Sequence, residues 1–261
     1  MLSSKKIESY LSGSANGLRV QTYGCVSSTN DIIKELAKDN AEILVVATEQ
    51  TAGRGRRGRS FFSPKGTGLY MSILLRPEAS PELSALITTA AAVATARAIE
   101  KNANVKADIK WINDVYIGGK KVCGILCESK LSPENSLEYI IIGIGINLSS
   151  PEGDFPEEIR NIATSVYGTE KPDENTVCRL CADVVSYLLE YAKDISSRAF
   201  LEEYKSRLFM LGKEITVITP TTTYVATATD IDDDAHLIVT LDNGEKRVLS
   251  AGEICIRPIK P

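Results

Sequence analysis

The sequence predicts an α+β protein: a mixed sheet flanked by helices, followed by a small all-β module. Three observations carry this. Between residues 107 and 149 the apolar, β-branched runs come in series rather than in strict alternation with helices. Long helical patterns stand on either side of that series. Beyond Gly212 the chain turns to short alternating runs separated by turn residues. With 261 residues, 43% hydrophobic and 25% charged, the chain has ample material for a core. The change of character divides it into 1–211 and 212–261.

In chain order, "LRVQTYGCV" (18–26) reads as a strand, and "SSTNDIIKELAKDN" opens a helix with Ser28 or Thr29 as its N-cap. The β-branched run "AEILVVATEQ" (41–50) reads as a buried strand, and "GLYMSILLRP" (68–77) as another, closed by Pro77. Residues 80–102 form an alanine-rich helix, with Ser80 as cap and Pro81 in its first turn. It is apolar almost all round, so it packs against a sheet. Residues 107–129 and 137–149 are strands, with Gly118–Gly119 turning a hairpin. Two helices follow, near 173–195 and 197–210. The C-terminal segment holds about five short strands and the hairpin signal Asp242-Asn243-Gly244, a barrel or sandwich of about fifty residues. The acidic run Asp232–Asp234 reads as a solvated tip.

Between the second and third strands lies "GRGRRGRS" (53–60), four arginines and three glycines in a chain of net charge −4. Gly53-x-Gly55-x-x-Gly58 follows the dinucleotide fingerprint, and Gly53-x4-Gly58-Arg59-Ser60 is close to a P-loop. Both need a helix immediately after the loop to hold the phosphate. Here "SFFSPKGTGLYMSILL" supplies a proline, two glycines and a strand, so both fail on context. A nucleic-acid arm is disfavoured by the acidic balance and by tethering between core strands. The remaining reading is a clamp over a small anion. Guanidinium forks suit phosphate and carboxylate, and glycines let the backbone close over a ligand. The loop is expected to order when an anionic ligand arrives.

"KWINDVYIGGKKVCGILCES" supplies Lys110, Asn113, Asp114, Lys120, Lys121 and Glu128. Strict alternation places Lys121, Cys123 and Ile125 on one face, with Lys120, Val122 and Gly124 on the other. A lysine leading into an otherwise apolar strand suggests an ammonium aimed into a pocket, against the alternative of an edge lysine reaching solvent. In "IIIGIGINL", Gly143 and Gly145 share one bare face, as a flat ligand slot needs, or as close helix packing needs. Asn147 on that face offers a polar handle.

Cys178 and Cys181 form a CxxC inside a helical pattern and read as two buried thiols. His236 is the only histidine, which excludes two-histidine metal sites and mechanisms; no metal ligand is assigned. The N-terminus lacks a signal-peptide core, and no apolar run reaches the roughly 18–20 residues of a membrane span. A cytoplasmic protein with no membrane or nucleic-acid partner is expected.

Together "SSTN" (27–30), "EQTAGRGRRGRSFFSPKGTGLYMSILLRP" (49–77), "KWINDVYIGGKKVCGILCE" (110–128) and "IIGIGINL" (141–148) resemble the biotin–protein ligases, also called biotin–[acetyl-CoA-carboxylase] ligases. The resemblance implies a class II synthetase-like catalytic domain with an SH3-like C-terminal barrel. One departure is Ile112, where the family usually has proline. By resemblance, Ser28, Thr29, Asn30 and Gln50 surround the biotin ureido ring and the nearby loop. Gly53, Arg54, Gly55, Arg56 and Lys121 meet the biotin carboxylate and the adenylate phosphate, with Lys121, Arg54 and Arg56 catalytic. Gly124, Gly143 and Gly145 wall the bicyclic ring. Arg57, Arg59, Asn113 and Asn147 join Arg54, Arg56 and Lys121 as ATP contacts.

Biotin and ATP are the implied substrates, with Mg2+. The implied acceptor is a biotin carboxyl carrier protein of acetyl-CoA carboxylase or a related biotin-dependent enzyme, and a homodimer is one implied assembly. About two dozen residues precede "SSTN", too few for the DNA-binding domain of the bifunctional members, so a monofunctional form is expected. A lipoate–protein ligase is the nearest rival. A non-catalytic adenylate sensor and a DNA-binding regulator come after it.

Overall fold

The computed structural model describes residues 2–37, 42–77, 84–132, 137–219, 221–250 and 252–256. The chain runs α1 (Ser4–Tyr10), β1 (Arg19–Tyr23), α2 (Thr29–Leu36), β2 (Ile43–Ala47), β3 (Gly68–Leu75), α3 (Ser84–Ala103), β4 (Asp108–Lys110), β5 (Asp114–Ile117), β6 (Lys120–Leu131) and β7 (Leu137–Asn147). Then come α4 (Glu157–Arg160), α5 (Glu174–Lys193) and α6 (Leu201–Arg207). The main sheet has the order β1-β2-β3-β7-β6-β5-β4. β1 and β2 pair parallel, with α2 as the crossover that parallel neighbours require, and the other pairs are antiparallel.

The strands and long helices stand where the sequence places them, with α1 and the short α4 as additions. Gly118 and Gly119 take φ +56° and +78°, the left-handed values that a two-residue hairpin needs. The expected cap of α3 at Ser80 and Pro81 lies outside the described residues. Asp173 caps α5 by accepting from the Thr176 N–H at 2.7 Å. Cys178 and Cys181 are both fully buried on α5, and Cys181 Sγ lies 3.7 Å from Met71 Sδ. That agrees with their reading as packed thiols.

Helices α3 and α5 cover one face of the sheet and enclose the large core. The other face carries a smaller cluster, in which Ile33 and Ala37 from the α2 segment meet Ile43, Val45, Leu74 and Ile141. Because side chains alternate along a strand, Ser72 shares this face with Leu74, and Gly143 and Gly145 share it with Ile141. The face is therefore apolar and filled at one end, and polar or bare at the other. The bare end needs a different cover, and it receives the arginine loop.

Five further strands, β8 (Glu214–Ile218), β9 (Thr223–Ile231), β10 (Leu237–Thr240), β11 (Lys246–Leu249) and β12 (Glu253–Ile256), form an antiparallel sheet in the order β11-β10-β9-β8-β12. Trp111 Nε1 donates to Ala235 O at 2.9 Å, tying this sheet to the end of β4. The acidic run is more than a solvated tip. Arg198 donates to Asp233 O and to the Asp234 carboxylate, and Asp232 accepts the N–H groups of Asp234 and His236. Charge pairing across 36 residues pins the hairpin where solvation alone would leave it free.

Candidate active site

A cavity of about 160 Å³ opens on the bare end of the sheet. Its lining runs from Thr29, Asn30 and Gln50 beside β3 and β7 to Asn113, just before β5, and Asp114 and Lys121 on β5 and β6. With strands about 4.8 Å apart, three spacings separate β3 from β5, roughly 14 Å of floor. The arginine loop covers it, and Gly252–Ile254 of the C-terminal sheet close one side.

One end is a buried polar network. Asn30 is 4% exposed and Ser72 fully buried. The Ser72 hydroxyl donates to Asn30 Oδ1 and stands 2.7 Å from Thr29 Oγ1. Gln50 Oε1 accepts from the Thr29 N–H at 2.9 Å, and Gln50 Nε2 donates to Ser63 Oγ at 3.1 Å. Ser28 occupies the N-cap position of α2 with extended φ and ψ, but its hydroxyl makes no capping bond. It lines the cavity instead. Polar groups this deep are costly unless paired, and their pairing fixes each donor and acceptor facing the cavity.

The cations occupy the rest. Lys121 Nζ lies 2.7 Å from Asp114 Oδ1, a charge contact without an aligned hydrogen bond. Arg56 Nη1 donates to Asn113 Oδ1 at 2.9 Å, and its Nη2 reaches Gly252 O at 3.4 Å. Asn113 is itself fixed by donating to Ile125 O at 2.7 Å. Arg54 Nη2 contacts the carboxylates of Asp31 and Glu128. Arg59 pairs with Glu253 at 2.6 Å, joining the loop to β12. Arg57 lines the cavity with φ +55°. Internal acceptors thus hold Arg54, Arg56 and Arg59 apart from one another. The loop is also bonded to itself, through Gly55 N to Arg59 O at 2.7 Å and Phe61 N to Gly53 O at 2.9 Å.

Burial alone would raise the Glu128 pKa. Hydrogen bonds from Lys34 and Asn30, with the Arg54 charge beside them, outweigh it and hold the carboxyl below the usual range. Burial pushes the Cys127 thiol on the same strand up to about 12.

Four site expectations change on the structure. Alternation separates Lys121 from Gly124, yet both line the cavity. The register of β5 with β6 runs Val115↔Cys123 and then Tyr116↔Lys121, so Val122 is an extra residue. That bulge resets the alternation and turns Lys121 to the glycine side. Second, of the two readings of the glycine face, close helix packing holds at Gly143, where Asn30 of α2 covers it, and a loop ring covers Gly145. A Cβ at Gly143 would lie 2.4 Å from Asn30 Oδ1, and one at Gly145 would lie 2.5 Å from Phe61 Cε1. Third, Asn147 lies outside the lining, because its amide donates to Thr164 O at 3.0 Å. Fourth, Gly53 is also outside it. Its open side faces Phe61 O and Ser63 Oγ, each 2.5 Å from where a Cβ would stand, so glycine there shapes the loop.

Sequence reasoning passed over Phe61, Ser72, Ser63 and Glu253. A serine in a fully buried strand, flanked by Met71 and Ile73, was the available signal for Ser72. The Glu253 contact spans 194 residues and leaves no local trace. The Trp111–Ile112 peptide bond is cis, and Ile112 O accepts from the Tyr204 hydroxyl at 3.1 Å.

Residues 23–147 match the Biotin/lipoate A/B protein ligase family, and residues 210–257 match the Biotin protein ligase C terminal domain. The chain is 35% identical to the bifunctional ligase/repressor BirA of Bacillus subtilis, over 96% of this chain and 78% of that protein. It is 27% identical to the biotin–[acetyl-CoA-carboxylase] ligase of Mycobacterium tuberculosis, over 97% of this chain and 95% of that one. Among solved structures it is similar to the biotin protein ligase from Aquifex aeolicus in complex with biotin and ATP. There the TM-score is 0.76 at 29% identity, covering 92% and 98% of the two chains.

Proposed function

Since the chain belongs to the Biotin/lipoate A/B protein ligase family, we propose that its cavity binds biotin at the Thr29–Asn30–Gln50 end and ATP at the Lys121 end, and joins them there. The enzyme is a biotin protein ligase: it activates biotin with ATP and transfers it to a carrier protein. The observation that carries the site assignment is one floor holding a satisfied polar network and, within about 14 Å, Lys121, Arg54 and Arg56.

In the first step a biotin carboxylate oxygen bonds to the α-phosphorus while the bond to the β-phosphate oxygen breaks, giving biotinyl-5′-AMP and pyrophosphate. Both reactants are anionic. Lys121, Arg54 and Arg56 offset their repulsion and stabilise the charge that builds on the phosphoryl oxygens. Their partners Asp114, Asp31, Glu128 and Asn113 hold them in place beforehand, so little reorganisation is left for the reaction itself. In the second step the neutral ε-amine of the acceptor lysine attacks the acyl carbon, AMP leaves with the bonding pair, and the amine loses a proton. The closed arginine loop keeps water from the anhydride in the interval.

On this reading Gly124 and Gly145 let the bicyclic ring lie close to the floor when Phe61 swings off them, Gly143 makes room for the Asn30 amide that meets it, and Arg57, Arg59 and Asn113 serve the nucleotide. Asn147 acts behind them, by fixing the 164 segment that flanks Lys121. Among the described residues no cluster of three or more His, Cys, Asp or Glu could hold a metal. Magnesium would arrive on the ATP phosphates, as is usual for that ion. The unit 1–211 would carry this chemistry and the unit 212–261 would brace the loop. The acceptor would be a biotin carboxyl carrier domain, and the compartment the cytoplasm. The test is transfer of labelled biotin to one carrier lysine, with biotinyl-5′-AMP isolated when the acceptor is withheld. Labelling without ATP, or no adenylate in the absence of acceptor, would overturn it.

A further inference from the structure

Arg54 is the one cavity cation gripped by two carboxylates from different elements, Asp31 on α2 and Glu128 on β6, among the described residues. Both act on the same nitrogen, Nη2, and leave Nη1 and Nε without a side-chain partner among the described residues. Glu128 is not a loose surface acid. Asn30 Nδ2 donates to it at 2.7 Å and Lys34 Nζ at 2.8 Å, and the Ser72 hydroxyl anchors Asn30 in turn. A continuous chain of polar contacts therefore runs from β3 through α2 and β6 to the arginine loop. It links the polar end of the cavity to the residue that meets the anion.

We propose that Asp31 and Glu128 are positioning residues for Arg54, holding its Nη2 so that the N–H groups of Nη1 and Nε are presented to the biotin carboxylate and the adenylate phosphate. This rests on the biotin-ligase reading above. A guanidinium carries five N–H donors in a fixed plane, so anchoring Nη2 orients the rest without using them up. Two anchors from different elements define the plane, where one would leave a pivot. Glu128 also requires the charged form: Asn30, Lys34 and Arg54 all donate to it, and an amide in its place would turn a donor toward donors. The same carboxylates could in principle compete with the ligand. Nη2 is shared by both bidentate edges of a guanidinium, so the carboxylates leave the ligand single N–H donors at Nε and Nη1, and orientation is separated from competition by the sign of the binding change.

The test compares two ligands that differ only in charge at the reacting end: biotin, and biotinol, its neutral alcohol. Binding to each is measured by calorimetry for the wild type, Asp31→Asn, Glu128→Gln, Arg54→Met and Asp31→Asn/Arg54→Met. Asp31→Asn is expected to weaken biotin about tenfold while leaving biotinol within twofold, and to add nothing in the Arg54→Met background. Glu128→Gln is expected to lower biotin binding further, with some loss for biotinol through Asn30. Tighter biotin binding by Asp31→Asn would mean that the carboxylates sequester Arg54, and would overturn the proposal. Equal losses for both ligands would reduce Asp31 to a structural role and would also overturn it, as would no change at all. If the wild type bound neither ligand, the biotin-ligase reading itself would fall, a distinct result.

Discussion

Replacing Gly143 by alanine adds a single methyl group at the most crowded point of the floor. The new Cβ would lie 2.4 Å from Asn30 Oδ1 and 3.1 Å from both Asn30 Cγ and Nδ2, closer than atoms approach without something moving. Asn30 has no easy retreat. It is 4% exposed, accepts from Ser72 and donates to Glu128 at 2.7 Å. Either the strand shifts, at an overpacking cost of about 1–3 kcal/mol, or Asn30 turns away and buried partners lose their bonds at about 1–3 kcal/mol. The molecule takes the cheaper route, so these do not add. Alanine returns about 0.4–1 kcal/mol by restricting the unfolded chain.

The expected net loss is thus about 1–2 kcal/mol. Biotin affinity should fall roughly tenfold, the equivalent of one hydrogen bond at 1.4 kcal/mol. Urea unfolding gives the first quantity and calorimetry the second. Gly145→Ala is the informative partner, because its Cβ would meet the Phe61 ring, on a loop that can swing, and not a locked amide. It should cost less stability while still impairing ligand binding. Stability within about 0.5 kcal/mol of wild type for Gly143→Ala, with biotin affinity within twofold, would refute the reasoning.

Lys121→Ala should slow adenylate formation by about 10²–10³, the usual loss when one oriented charge is removed. It should also lower stability, because Asp114 Oδ1 is left buried without its cation; rapid-quench half-reactions near the wild-type rate would contradict this. Arg56→Gly should retain some adenylate synthesis but release the intermediate, seen as biotin on lysines of bystander proteins. Glu100 tests the acid limb. Burial opposes its ionisation, but the hydrogen bonds and charge of Arg207, with the Ala107 N–H, hold its pKa below the ordinary value. A carboxyl depressed in the folded state stabilises above its unfolded pKa, about 4.3, and loses that contribution as pH falls through the folded value. Wild-type stability should therefore drop on acidification below about pH 4.3, and Glu100→Gln should be weaker at pH 7 with a flatter acid limb.

Local chemistry made most of the fold legible. The β-branched runs, the Gly118–Gly119 turn and the alanine-rich α3 each follow from the residues that form them. The site was legible as a set of residue types, and its wiring was not. Nothing local marks the extra residue at Val122 that turns Lys121 to the glycine face, because a bulge is set by the partner strand. Nothing near the arginine loop reveals Asp31, Asn113, Glu128 and Glu253 as its acceptors, since these come from four distant elements. The glycines were rightly read as places of close approach. What approaches them in this structure is the protein's own Asn30 and Phe61.

The most direct test of the central claim is ATP–pyrophosphate exchange with Mg2+, run with biotin and with lipoate in separate reactions. Exchange that depends on biotin and stays at background with lipoate is the expected result, and it would be lost in Lys121→Ala. Exchange driven by lipoate would contradict the substrate assignment at the Thr29–Asn30–Gln50 end, and no exchange with either acid would contradict the account of the cation cluster as an adenylating site.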